Sequence, residues 1–179
     1  MTLAPGTRLG SYEISGQMMN GHSFLPDGTR LVGSQTNPKT GLDLFLFSMS
    51  GGPGPSSTRD VRPIVATPSS EQYAEFSPDA AWLAYQSNES GTDEIYVQPF
   101  PDLDHGRWQV STGGGTRPLW ARNGRELFYL GPAGSLMAVP VQPGPGFTRG
   151  NAAVVVERAY FTAPILGRAT MSRPTAHGS

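Results

Sequence analysis

The chain contains no cysteine, so it has neither a disulfide framework nor thiolate chemistry, and cysteine usage leaves the redox compartment open. Charge is sparse and balanced: 13 Lys+Arg against 14 Asp+Glu give a net charge of −1 over 179 residues. That balance provides no electrostatic footprint for nucleic acid or for an anionic membrane surface. No run of about 18 apolar residues occurs, and the first turns of sequence lack the apolar core of an export signal. On this reading the chain as encoded is soluble and cytoplasmic, with an extracytoplasmic placement as the alternative. Histidine is scarce as well. His22, His105 and His177 fall in three separate stretches, none spaced as a metal pair, and all three read as solvated side chains. No Gly-x-Ser-x-Gly elbow is present to activate a serine. No motif implies a cofactor.

Glycine and proline are abundant: 23 and 17 residues, together 40 of 179. They punctuate short runs rich in aromatic and β-branched residues, the pattern of many strands joined by tight turns. Glu75 to Phe100 shows the unit best. Trp82 to Gln86 and Glu94 to Gln98 read as strands, with Ser77-Pro78-Asp79 as a tight turn ahead of them and Asn88-Glu89-Ser90-Gly91 as the hairpin between. The same grammar opens at Phe24 and at Trp120. Anchor aromatics Phe24, Phe76 and Trp120 are 76 − 24 = 52 and 120 − 76 = 44 residues apart. Four short strands per period of that size are the mark of β-propeller blades. The expected fold is all-β, with three four-stranded antiparallel blades over residues 22–66, 72–112 and 116–162 and no helix. Three blades do not close a ring, so their unpaired end faces imply self-association.

Gly6-Thr7-Arg8-Leu9-Gly10-Ser11-Tyr12-Glu13-Ile14 resembles the opening of bacterial, eukaryotic-type Ser/Thr protein kinases. The Gly-rich phosphate loop that follows in those kinases is absent, as are Val-Ala-x-Lys, His-Arg-Asp and Asp-Phe-Gly. Residues 1–21 therefore read as a stub without catalytic function. From His22 to Phe161 the chain resembles the TolB-like, WD-repeat-like propeller at the C-terminal end of many such kinases. Pro38 to Leu44, Phe76 to Asp79, Ser87 to Gly91, Tyr96 to Pro101, Trp108 to Gly115 and Glu126 to Leu130 carry that likeness. It implies a non-catalytic sensor or interaction module, a truncated fragment of such a kinase, with a protein, peptide or small ligand as partner. Two rivals belong to the enzyme class: a protein kinase by inheritance, and the gating propeller of a prolyl-oligopeptidase-type enzyme, which shares the Ser-Pro-Asp repeat. Ala80 departs from the pattern by standing where the other two copies have Gly28 and Gly124.

Residues 163–179 read as a disordered tail. The family pattern places a Tyr-Asp-Val-Ser-Pro-Asp-Gly type of blade opening after Phe161, and Ala169 to Ser179 lacks it. A permitted back-translation of Ala169 to Ser179, read from its third base, encodes Tyr-Asp-Val-Ser-Pro-Asp-Gly-Thr-Arg-Phe, so the tail is expected to be out of frame.

Among residues with chemical reach, Gly113-Gly114-Gly115 lacks the Gly-Lys-[Ser/Thr] ending of a phosphate loop and reads as a link between blades. Trp82, Trp108 and Trp120 read as packing between blades rather than as a ligand platform. Glu89, Asp93 and Glu94 offer oxygens for Ca²⁺, with a solvated hairpin as the preferred reading. Antiparallel topology puts the hairpins between second and third strands on the same face as the blade-to-blade links. That face is the candidate binding surface, with Tyr73, Asn88, Glu89, Asp93 and Arg117 as its candidate residues.

Overall fold

Each repeat folds as an antiparallel sheet whose strands follow chain order. The structure, a computed structural model, describes residues 8–9, 12–13, 20–48, 61–142, 144 and 146–157. Strands β1 (Arg8–Leu9) and β2 (Tyr12–Glu13) form a small antiparallel pair on their own. Blade I comprises β3 (Asn20–Phe24), β4 (Arg30–Asn37), β5 (Gly41–Ser48) and β6 (Val61–Val65). Blade II comprises β7 (Glu71–Phe76), β8 (Trp82–Ser87), β9 (Glu94–Pro99) and β10 (Trp108–Gln109). Blade III has β11 (Thr116–Trp120), β12 (Glu126–Leu130) and β13 (Leu136–Gln142). Its outer edge is divided: β14 (Thr148–Arg149) pairs with the end of β13 and β15 (Ala153–Val156) with its start. The third sheet thus has five strands where four were expected. Two single turns of 3₁₀ helix, Leu103–His105 and Pro132–Gly134, are the helical elements among the described residues. The stub expected over 1–21 overlaps the first blade, since β3 begins at Asn20. The tail lies outside the described residues.

The tight turns between first and second strands repeat almost atom for atom. Gly28 N–H bonds Leu25 O at 2.8 Å, Ala80 N–H bonds Ser77 O at 2.9 Å and Gly124 N–H bonds Ala121 O at 2.9 Å. Asp27, Asp79 and Asn123 each accept the backbone N–H two residues on. The closing residues lie in the left-handed region, at φ +70 for Gly28, +58 for Ala80 and +68 for Gly124. A Cβ costs roughly 1 kcal/mol there. Nothing lies within 4 Å of a Cβ placed on Gly28, so Gly28→Ala is expected to destabilise by about 1 kcal/mol through φ alone. Ala80→Gly relieves the same strain but removes a methyl packed on the core. It is expected to stabilise, by somewhat under 1 kcal/mol. Urea unfolding of both variants checks the pair; destabilisation by Ala80→Gly would overturn the strain argument.

The core lies between blades. Phe76, Leu83, Tyr85 and Tyr96 of blade II pack on Val32, Leu44, Leu46 and Val65 of blade I. Ala84, Ile95, Val97 and Val110, from the other face of blade II, pack on Trp120, Leu127, Tyr129, Val139 and Val141 of blade III. Blade II is thus covered on both sides, which is why β8 and most of β9 are buried residue after residue. The tryptophans pack as expected: Trp82, Trp108 and Phe147 meet ring to ring at 5.3–5.7 Å, and Trp120 is buried. The innermost strands β3, β7 and β11 touch in succession. The outer faces of blades I and III have no neighbouring blade among the described residues. Phe24 at 49%, Leu119 at 56% and Val154 at 55% exposure belong to these end blades.

Candidate functional site

All three innermost strands carry one extra residue at the same place. Pairing steps from Gly21↔Gly33 to Ser23↔Val32 in blade I, from Gln72↔Gln86 to Glu75↔Ala84 in blade II, and from Thr116↔Leu130 to Leu119↔Phe128 in blade III. Each is a β-bulge, which bends a strand and re-aims its side chains. Tyr73 and Arg117, at two of these bulges, sit at φ +52 and +54, a conformation costing an L-residue about 1–2 kcal/mol.

The bulge side chains meet across the blades. The His22 ring stands edge-on to Tyr73 at 5.8 Å between centroids, and the Arg117 guanidinium lies over the Tyr73 ring at 5.2 Å. His22 Nε2 is 2.9 Å from Ser34 Oγ, and burial lowers the imidazole pKa from its usual 6.5 to about 4. The second strand of blade II supports Arg117 from behind: Gln86 Oε1 accepts its backbone N–H at 3.4 Å. The result is a ladder of His22, Tyr73 and Arg117 along the inner strands of three blades.

Beside the ladder, successive blades are tied at a repeated position. Phe76 N–H donates to Ser23 Oγ at 3.4 Å, and Trp120 N–H donates to Glu75 Oε2 at 3.1 Å. Ser23, Glu75 and Leu119 each precede the anchor aromatic of their blade. Leu119, the third of them, carries no acceptor. Burial raises the Glu75 carboxyl to about 7, against the lowering effect of the Trp120 N–H.

The expected loop face also forms. Ser70 Oγ accepts Leu42 N–H and Ser70 N–H donates to Asn88 Oδ1 at 2.9 Å, joining the link between blades I and II to both hairpins. Between blades II and III, Gly114 N–H donates to Glu94 Oε1 and Gly115 N–H to Asp93 O, each at 2.8 Å. Two of the three amides in Gly113-Gly114-Gly115 are thereby used in the link, which leaves little for a phosphate.

Of the five candidate residues, the fold brings together Tyr73 and Arg117. Asn88 is bonded to Ser70, and Glu89 pairs with Arg107 at 2.6 Å. Asp93 has an exposed side chain and a backbone carbonyl engaged in the link. Glu94 is buried and accepts from Ser111 Oγ as well as Gly114. The acidic group therefore diverges, and no three His, Asp or Glu side chains converge as a cation site among the described residues. His22 was missed by sequence reasoning, which read it as solvated. Its position two residues before the anchor aromatic, near that of Tyr73 and Arg117, was the available signal.

Two clefts of about 290 Å³ each open on the opposite face, between successive tight turns. Leu25, Asp27, Asp79 and Phe100 line one, and Asp79, Trp82, Arg122 and Gln142 the other. No helix among the described residues is long and apolar enough to cross a membrane.

This architecture is that of a partial β-propeller. Among solved structures it is similar to a putative TolB from Agrobacterium tumefaciens, with a TM-score of 0.58 and 13% identity over 76% of this chain and 48% of that one. It is also similar to TolB from Acinetobacter baumannii, with a TM-score of 0.57 and 17% identity over 86% of this chain and 36% of that one. This structural similarity establishes a TolB-like fold and no more, and the chain spans about half the length of those proteins or less. No protein-family model and no curated protein matches the sequence.

Proposed function

We propose that this chain is a non-catalytic interaction module whose binding surface is the inner rim around Tyr73 and Arg117, together with the adjoining hairpins and links. The observation that carries the reading is the strain held at that rim. Two non-glycine residues are kept at positive φ by the packing of three blades, and their side chains meet there. Such outliers persist where the surroundings over-determine them and are concentrated at ligand clamps. The TolB-like fold supports an interaction role. The run Gly6 to Ile14 supports parentage in a bacterial Ser/Thr kinase, and the missing phosphate loop, lysine and metal-binding aspartate support the absence of phosphotransfer.

Selecting peptides from a random library on the wild-type chain tests the surface. Selected peptides are expected to lose binding to a Tyr73→Ala/Arg117→Ala variant and to keep it with Arg122→Ala, which alters a cleft on the other face. The reverse pattern would move the binding surface to the clefts. Calorimetric titration with Mg-ATP is expected to give no saturable heat; stoichiometric binding with autophosphorylation would restore the kinase reading.

A further inference from the structure

Among the described residues two arginines stack on tyrosine rings, and one of them has a carboxylate partner. In blade II the Arg107 guanidinium lies 5.3 Å from the centre of the Tyr96 ring, and Glu89 Oε2 completes the arrangement 2.6 Å from Arg107 Nη1. At the inner rim the Arg117 guanidinium lies 5.2 Å from the centre of the Tyr73 ring. No carboxylate of the described residues pairs with it. Glu75, the acid on the neighbouring strand, is engaged by Trp120 N–H instead. Arg117 is exposed, and Tyr73 is 36% exposed. Gln86 stands behind them, 2% exposed, and its Oε1 accepts the Arg117 backbone N–H.

We propose that the Arg117–Tyr73 stack is a receptor for a carboxylate group of a peptide ligand, which takes the place that Glu89 holds at Arg107. An aromatic face fixes the plane of a guanidinium and leaves its N–H edge free, the geometry that takes a carboxylate through two parallel hydrogen bonds. Both backbones are held in a costly conformation while the guanidinium they present stays unpaired, an arrangement suited to an incoming group. The inference rests on the inner-rim reading above and names its ligand chemistry.

Nuclear magnetic resonance titration of the full chain with N-acetylglutamate, and with N-acetylglutamine as its neutral counterpart, provides the test. Saturable shifts of the Arg117 Nε–H and Tyr73 ring signals are expected with the acid alone. Arg117→Met, with its fold checked by the amide spectrum, is expected to weaken the response at least tenfold, and Arg117→Lys less so. Glu89→Gln should open a second, equivalent response at Arg107. Equal shifts from acid and amide, or an undiminished response in Arg117→Met, would overturn the proposal. Selected peptides that need Tyr73 but bind Arg117→Met as well as wild type would sink the carboxylate inference and leave the interaction surface standing.

Discussion

Glu75→Gln is expected to make stability rise, relative to the wild type, from pH 4.5 to 7. Glu75 and His22 are shifted in opposite senses over nearly the same range. Burial raises Glu75 from 4.5 to about 7, so the folded chain holds more protons than the unfolded one between those values. Stability from this group is complete below pH 4.5 and is lost as pH rises through 7. Burial lowers His22 from 6.5 to about 4, so its contribution is complete above pH 6.5 and is lost as pH falls through 4. The two slopes oppose each other in the wild type. Both groups are only partly buried, and with solvent screening each is worth about 1–2 kcal/mol across its window. Glutamine still accepts from Trp120 N–H and does not titrate, which leaves the His22 slope alone. His22→Gln should do the converse and make stability fall, relative to the wild type, from pH 4 to 6.5. Urea midpoints at pH 4, 5, 6 and 7 measure all three proteins. Every other titrating group is common to them, so the differences from wild type isolate these two. Curves for Glu75→Gln that run parallel to wild type would refute the account.

Gly115→Ala is expected to destabilise by about 3 kcal/mol, through crowding rather than backbone strain. Gly115 is buried in the link between blades II and III, and a Cβ there would overlap Ser111 Oγ, stand 2.7 Å from Ser111 Cβ and 3.1 Å from Ile95 Cγ1. Ser111 has little room to move. Its Oγ accepts Ile95 N–H at 2.8 Å and donates to the buried Glu94 carboxylate. Displacing it leaves a buried carboxylate and a buried amide short of partners, on top of the steric cost. Gly113, two residues earlier, provides the control. It has φ +82 and nothing within 4 Å of a Cβ, so Gly113→Ala should cost only about 1 kcal/mol. Thermal melts of the two variants should separate clearly, with the midpoint of Gly115→Ala the lower. Equal losses would mean that the link relaxes around the methyl.

The difference between these two glycines was not visible in the sequence, where Gly113-Gly114-Gly115 is a uniform run. Tight turns were legible because their chemistry is local. A Ser-Pro-Asp or Pro-Asp-Gly sequence closes its own hydrogen bonds over five residues, and Ala80 could be singled out as strained from its neighbours alone. Strand runs were legible for the same reason, through β-branched and aromatic residues between turn formers. Glu94 shows where local reading stopped. As a charged residue beside a hairpin it read as solvated, yet Ser111 and Gly114, brought in from the outer edge and the next link, bury and satisfy it. Glu89 likewise read as free, and its partner Arg107 lies 18 residues away across the blade.

By itself, then, the sequence determined the repeat: three sets of turns and strands at periods of 52 and 44 residues, with the anchor aromatics at their head. Only the tertiary structure decided what those repeats present to one another. His22, Tyr73 and Arg117 are separated by 51 and 44 residues, and none has a local partner that predicts the others. They meet because the innermost strands of consecutive blades pack side by side, each bulged at the same point. Where a strand gains its extra residue depends on pairing across the sheet, and what a bulged side chain touches depends on the blade beside it. Both are contacts between distant segments, which no local propensity encodes.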